Sequence, residues 1–268
     1  MMHTPLIKLA GLAAACSLIA QPVLADDTVY KVGVTPGPHA QIVEAVQKVA
    51  ADKGLNIKII EFSDFVQPNA ALEAGDIEAN AFQHEPYLNS QIADRGYDLT
   101  VVGYTITNLM GIYSKKIDSL DALSEGARVG IPNDPTNGGR ALLLLEDEGL
   151  IKLKADAGLK VTPLDVVENP KKLKLIELDA AQMVRSLDDV DAAAINGSYA
   201  HSAGFKPLED SIAIEDALGP YTNIIVVRTE DKDSDWAKTL VESYQSPEVA
   251  DFIKETFQGA IVPSWEQK

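Results

Sequence analysis

The sequence predicts an α/β protein with mostly parallel sheets, arranged as two similar lobes. Three observations predict it. Short β-branched runs alternate with stretches whose apolar residues recur at helical spacing. Glycines and prolines punctuate the joins. The pattern runs once as βαβαβαβ and then restarts near Ser119.

The first strand is Tyr30 to Val34, alternating and β-branched. Thr35-Pro36-Gly37-Pro38 is a turn. Ile42, Val43, Val46 and Val49 mark one face of a helix that ends at Gly54. Asn56 to Phe62 is a second strand, and Pro68 to Ala74 a short helix running into Gly75. Asp76 to Ala81 reads as a short buried strand. Pro86 opens the next helix and Gly96 closes it, ahead of a strand over Leu99 to Tyr104.

In the second half, Ser119 is a helix N-cap candidate before Leu120 and Leu123. Arg128 to Ile131 is a strand, followed by the turn Pro132-Asn133-Asp134-Pro135 and a helix through Ala141 to Leu145. Leu173 to Leu178, Asp191 to Ile195 and Tyr221 to Val227 are strands. Trp236 to Gln245 and Glu248 to Phe257 are helices. A faint echo links Asp76-Ile77-Glu78-Ala79-Asn80 with Asp189-Val190-Asp191-Ala192. Each leads into a polar loop and a tyrosine, Tyr87 or Tyr199, which suits two similar lobes.

The composition narrows the function classes. The chain has 268 residues, 46% hydrophobic and 24% charged, which excludes a disordered tail, a disulfide scaffold and a polytopic membrane protein. Its 23 basic residues against 40 acidic give a net charge of -17, which repels phosphates and argues against nucleic acid. Residues 1–25 read as a signal peptide: Lys8, an apolar run from Leu9 to Ala20, and Val23-Leu24-Ala25 at the cleavage position. The rival processing site is Cys16, in Ala13-Ala14-Ala15-Cys16, where a lipoprotein would be lipidated. Cleavage after Ala25 leaves no cysteine, and so no thiol chemistry.

In open α/β sheets a ligand sits beyond the carboxyl ends of the strands. Two facing lobes therefore nominate Thr35 to His39, Phe62 to Phe65, Asn80 to Tyr87, Asn133 to Arg140, Asn196 to Tyr199, and Tyr221-Thr222-Asn223. Arg140 lies in the second turn of a helix with Asp134 as N-cap and Pro135 at its first position. The helix N-terminus and the guanidinium together suit a carboxylate. The competing reading is a surface arginine paired with one of many acids. Phe82, His84, Tyr87 and Phe65 can wall an apolar side chain, or can simply pack a core. Asn196 and Asn223 can meet ammonium and carboxylate groups, or can be turn residues. His39, His84, Glu85 and His201 could converge on a metal, but no pair has zinc-ligand spacing. There is no Gly-x-Ser-x-Gly elbow, and Ser198 and His201 make no relay. No cofactor or metal is expected.

Several collinear segments resemble the NlpA/MetQ family, the substrate-binding proteins of methionine-type ABC importers. They are Val32-Gly33-Val34-Thr35-Pro36-Gly37-Pro38, Gly75 through Leu88, Tyr113-Ser114-Lys115-Lys116, Pro132 through Arg140, and Asp165 through Pro170. Arg185-Ser186-Leu187-Asp188-Asp189 and Pro220-Tyr221-Thr222-Asn223 complete the set. The resemblance implies a two-lobed periplasmic binding protein, type II-like, with a ligand cleft and two hinge crossings near Thr105–Gly111 and Gly219–Ile225. The first lobe would hold 26–107 and 224–268, the second 108–223. Arg140 would hold the ligand carboxylate, Asn196 and Asn223 the head group, and Phe82, His84 and Tyr87 the side chain.

One departure stands out. Many relatives carry an aromatic-proline pair where this chain has Thr107-Asn108-Leu109-Met110-Gly111. The expected function is a periplasmic, monomeric, non-enzymatic receptor that passes a small amino acid, methionine first, to a permease and its ATPase. The alternatives are a methionine-containing dipeptide or another apolar amino acid as cargo, and a secreted hydrolase.

Overall fold

The computed structural model describes residues 28–156, 158–217 and 219–267. The expected signal peptide, its cut after Ala25 and Cys16 lie outside them. The first lobe begins with β1 (Val29–Val34), α1 (Pro38–Asp52), β2 (Asn56–Glu61) and α2 (Gln67–Glu73). It continues with β3 (Ala79–His84), α3 (Glu85–Arg95) and β4 (Leu99–Tyr104). The chain then leaves through β5 (Ile106–Asn108).

The second lobe comprises β6 (Gly111–Tyr113), β7 (Arg128–Pro132), α4 (Pro135–Asp147), β8 (Lys152–Leu153), β9 (Val166–Glu168) and β10 (Lys174–Leu178). β11 (Ala192–Ile195), α5 (Gly197–Ser202), α6 (Pro207–Asp210) and β12 (Ala213–Ile214) follow. The chain returns through β13 (Asn223–Arg228) and finishes on α7 (Asp235–Tyr244), α8 (Pro247–Phe257) and β14 (Ile261–Pro263).

The two sheets share one plan. Their strand orders are β2-β1-β3-β13-β4 and β10-β7-β11-β6-β12. In each, three strands run parallel. The fourth, β13 or β6, runs antiparallel to its neighbours. That strand is the one arriving from the opposite lobe, so it enters at the cleft and must run away from it. The sequence echo falls on this symmetry. Val32 pairs with Ala79, and the Lys31 N–H donates to Glu78 Oε2 at 2.6 Å. Val129 pairs with Ala192, and the Arg128 N–H donates to Asp191 Oδ2 at 2.7 Å. In each lobe the acid just before β3 or β11 accepts from an N–H of the strand that β3 or β11 joins, β1 or β7.

The crossings lie side by side. The Thr105 N–H donates to the Asn223 carbonyl at 2.8 Å, and the Thr107 and Thr222 hydroxyls are 3.4 Å apart. β14 pairs with β5, tying the C-terminal segment to one crossing.

Two expected elements differ. The strand expected over 76–81 starts three residues later. The Asp76 and Ile77 N–H groups both bond back to the Ala71 carbonyl, so the end of α2 consumes them. The helix expected after Ser119 is a single 3-10 turn at Leu120–Ala122, and the Ser119 hydroxyl makes no capping bond.

Packing anchors the helices that carry the site. α1 buries Ile42, Val43, Val46 and Ala50 between the first sheet and Leu240, Tyr244, Ile253 and Phe257 of α7 and α8. α4 buries Ala141, Leu142, Leu144 and Leu145 against Val129 and Ile131 of β7. Sequestering such a stripe of aliphatic side chains is the main force fixing each helix on its sheet. Gly37, at φ 84°, makes the turn into α1, and a Cβ there would run into the Ser202 hydroxyl of the other lobe.

Candidate functional site

A cavity of about 340 Å³ lies between the lobes. The strands deliver its lining with their carboxyl ends, or in β13 with its amino end. From the first lobe come His39, Phe65, Phe82, Gln83, His84 and Tyr87; from the second come Asn137, Arg140, Asn196, Gly197 and Ser198; Asn108 and Asn223 come from the crossing strands β5 and β13. All seven residues nominated from the sequence line this one cavity. His201 does not: its ring packs on Phe257, 5.2 Å between centroids. Among the described residues, no group of three or more His, Cys, Asp or Glu is placed to hold a metal ion.

One wall is aromatic. Phe65 lies 6.0 Å from Phe82 and 6.3 Å from Tyr87, centroid to centroid. The Tyr87 hydroxyl donates to the Phe65 carbonyl at 2.9 Å, which orients the Tyr87 ring. Burial raises the Tyr87 phenol well above its ordinary range, so the hydroxyl stays protonated as a donor.

His84 links this wall to the other lobe. It is the N-cap of α3: its Nδ1 accepts from the Tyr87 N–H at 3.1 Å. The ring proton therefore sits on Nε2, which donates to Asn137 Oδ1 at 3.1 Å. Asn196 Nδ2 donates to the same oxygen at 2.7 Å. Asn137 Nδ2 in turn donates to the Asp134 carboxylate. Burial and the nearby Arg140 charge push the His84 pKa down to about 3. Burial likewise lowers His39 to about 4; its Nε2 lies 3.3 Å from Asn223 Nδ2. Both imidazoles are neutral at physiological pH.

Arg140 is buried, not a surface arginine, yet an acid does pair with it. Its Nε donates to Glu215 Oε2 at 2.8 Å, and its Nη2 to Glu215 Oε1 and to the Asn108 carbonyl. The guanidinium carbon sits 4.3 Å from the centre of the Tyr221 ring. Nη1 takes no part in these bonds. The helix N-terminus behaves differently from the expectation. The Thr136 and Asn137 N–H groups are taken by the Asp134 side chain, and the Gly138 N–H by its carbonyl. No N–H of that turn is left for an incoming anion, which leaves the Arg140 guanidinium as the cationic group lining the cavity.

Sequence reasoning missed Glu215 and, as an individual residue, Asn137; Asn108 stood inside the crossing expected near Thr105–Gly111. Glu215 follows the two-residue strand β12, one acid among 40, with no local pattern to mark it. Asn137 stood inside a nominated loop.

The charge balance sets what the site can hold. Arg140 is matched by Glu215, and the two histidines are neutral. A net-neutral cavity favours a net-neutral ligand. One face of it offers a cation edge and amide groups; the opposite face is aromatic. A zwitterionic head with an apolar tail fits that division.

Comparison with known proteins agrees. The profile of the NlpA lipoprotein family matches residues 30–265. The D-methionine-binding lipoprotein MetQ of Escherichia coli strain K12 is 51% identical over 243 residues, covering 90% of each chain. A nutrient-binding protein from Burkholderia cenocepacia, solved bound to methionine, superposes with a TM-score of 0.86 at 54% identity, covering 88% of this chain and 99% of that one. The crystal structure of the methionine-binding protein MetQ gives 0.86 at 52% identity, covering 88% and 97%. A two-lobed substrate-binding fold, a cleft lined for a small zwitterion and this degree of identity lead to one conclusion: the chain belongs to the NlpA lipoprotein family.

Proposed function

We propose that this protein is the extracytoplasmic receptor of an ABC importer and closes over a single amino acid, methionine, for delivery to a permease driven by an ATPase. The observation that carries this is the net-neutral cavity, with Arg140 at its polar end and Phe65, Phe82 and Tyr87 at its apolar end. Arg140 Nη1 meets the ligand carboxylate. Asn196 Oδ1, buried and without a partner, accepts from the ammonium. Asn223 completes the head-group contacts, and the thioether lies among the rings, where sulfur–aromatic contact is favourable. The methionine-binding relatives support the same cargo.

The lobes that close are 26–107 with 224–268, and 108–223, hinged on the two adjacent crossings. A ligand that touches both lobes binds the closed state more tightly and so shifts the population towards it. No bond is made or broken. The lipoprotein relatives favour lipid attachment through Cys16 over a cut after Ala25. The intact mass of the mature protein separates the two.

The test is native mass spectrometry of protein purified without added ligand, followed by denaturation and identification of what is released. Released methionine is expected. Release of a different compound moves the cargo. An empty protein that no amino acid stabilises thermally overturns the receptor reading.

A further inference from the structure

The Asn108 side chain is the anomaly of the cavity. It is 7% exposed, lines the pocket, and neither its Oδ1 nor its Nδ2 has a hydrogen-bond partner. Two buried polar atoms without a protein partner on one side chain are costly unless a bound molecule satisfies them. Nothing in the packing requires an amide there. An apolar side chain there would avoid the cost.

Its surroundings hold the amide in place all the same. The Asn108 carbonyl accepts from Arg140 Nη2 at 3.0 Å, so the residue is fastened to the anion-binding side chain. The residue ends β5, where it pairs with Ile261 of β14. Its amide lies over Gly197, the first residue of α5. A Cβ at 197 would fall inside van der Waals contact of Asn108 Oδ1 and of the Leu109 carbonyl. Gly197 thus makes the room the amide occupies, immediately after Asn196, whose own Oδ1 is also buried and unpartnered.

Resting on the amino-acid reading above, we infer that Asn108 is a specificity-determining residue that binds the ligand's α-ammonium through Oδ1, alongside Asn196 Oδ1. The chemistry follows from the inventory of the cavity. An ammonium has three donors and needs acceptors. The carboxylates that touch lining residues are already engaged, Glu215 by Arg140 and the Met110 N–H, and Asp134 by Thr136 and Asn137. Neutral amide oxygens are what remain, and Asn108 and Asn196 hold them free on either side of Gly197. Because Asn108 sits on a crossing strand, the hinge itself touches the head group.

The test compares wild type with Asn108→Leu and Asn108→Asp. Calorimetry measures methionine affinity, and thermal melting is recorded without ligand. Asn108→Leu is expected to lose at least tenfold in affinity while melting at or above the wild-type temperature, since it removes two orphaned atoms. Asn108→Asp keeps the acceptor and is expected to stay within tenfold of wild type. Wild-type affinity in Asn108→Leu overturns the assignment. So does a loss in Asn108→Asp as large as that in Asn108→Leu. A ligand-free Asn108→Leu that melts several degrees lower makes Asn108 structural and overturns it too, even where wild type fails to bind methionine. That failure by itself would strike the cargo assignment instead.

Discussion

His84 Nε2 stands 3.1 Å from Asn137 Oδ1, a buried hydrogen bond that joins β3 of one lobe to α4 of the other across the ligand cavity. The same ring accepts the Tyr87 N–H through Nδ1. One neutral tautomer satisfies both bonds, and protonating Nδ1 would break the second. The link between the lobes and the cap of α3 therefore share one ring, and the cap requires that ring to be uncharged at Nδ1.

A pH dependence follows. The folded protein holds His84 and His39 near 3 and 4, against an ordinary value of 6.5. Below pH 6.5 the unfolded chain takes up protons that the folded one refuses. Stability is thus complete above pH 6.5 and falls as pH drops towards the folded values. Urea unfolding from about pH 7.5 to about 5, above the carboxylate range, should show a flat region and then a decline. His84→Gln should reduce the slope of that decline by up to about 1.4 kcal/mol per pH unit. An unchanged slope would mean that the ring is protonated in the folded state.

The Arg140–Glu215 pair makes a sharper prediction. Arg140→Ala leaves a buried carboxylate unpaired, which costs about 3–5 kcal/mol of stability. Loss of binding in that variant alone would therefore be ambiguous. Replacing both, as Arg140→Met with Glu215→Leu, removes the buried charges together and should recover most of that stability. Binding should not recover, because the carboxylate has lost its cation. Methionine binding by the double variant at wild-type affinity, measured by calorimetry, would remove Arg140 from the site.

These residues also mark how far the sequence could be read. Arg140 was legible because its placement is local: Asp134 and Pro135 open a helix at the end of a strand, and the arginine lies one turn in. The aromatic wall was legible for the same reason, following a buried strand. Glu215 was not, because it reaches Arg140 across 75 residues through the packing of β12 on β6. The antiparallel strand in each sheet was also hidden. β13 and β6 read as ordinary strands, and only the two crossings decide which sheet each joins. The start of β3 was misplaced because the C-terminal turn of α2 competes for the N–H groups of Asp76 and Ile77, a competition that hydrophobic pattern does not register.

Tyr87 should matter less than Arg140. Its ring supplies apolar wall, and its hydroxyl bonds protein, not ligand, at the Phe65 carbonyl. Tyr87→Phe should cost about 1 kcal/mol of stability and change affinity little. Tyr87→Ala should weaken methionine binding by a smaller factor than the Arg140/Glu215 double variant does. The reverse order, in parallel calorimetric titrations, would show that the ring and not the guanidinium anchors the ligand.

The rim of the cleft carries the last prediction. Tyr199 of the second lobe lies 4.8 Å from Phe65 of the first, and its hydroxyl is 3.4 Å from the Ser63 carbonyl. Further along the rim, Ser202 Oγ donates to the Pro36 carbonyl at 3.0 Å. These contacts exist only while the lobes touch, so they favour the closed state without touching the encounter of ligand with an open cleft. An aromatic pair of this kind contributes about 0.5–1.5 kcal/mol. Tyr199→Ala should therefore speed methionine release by roughly 2- to 10-fold, with little change in association. Stopped-flow displacement of bound methionine reads both rates. A slower association at unchanged release would place Tyr199 in the opening of the cleft, and unchanged rates would leave closure to the ligand and to the remaining cross-lobe contacts, among them His84–Asn137 and Ser202–Pro36.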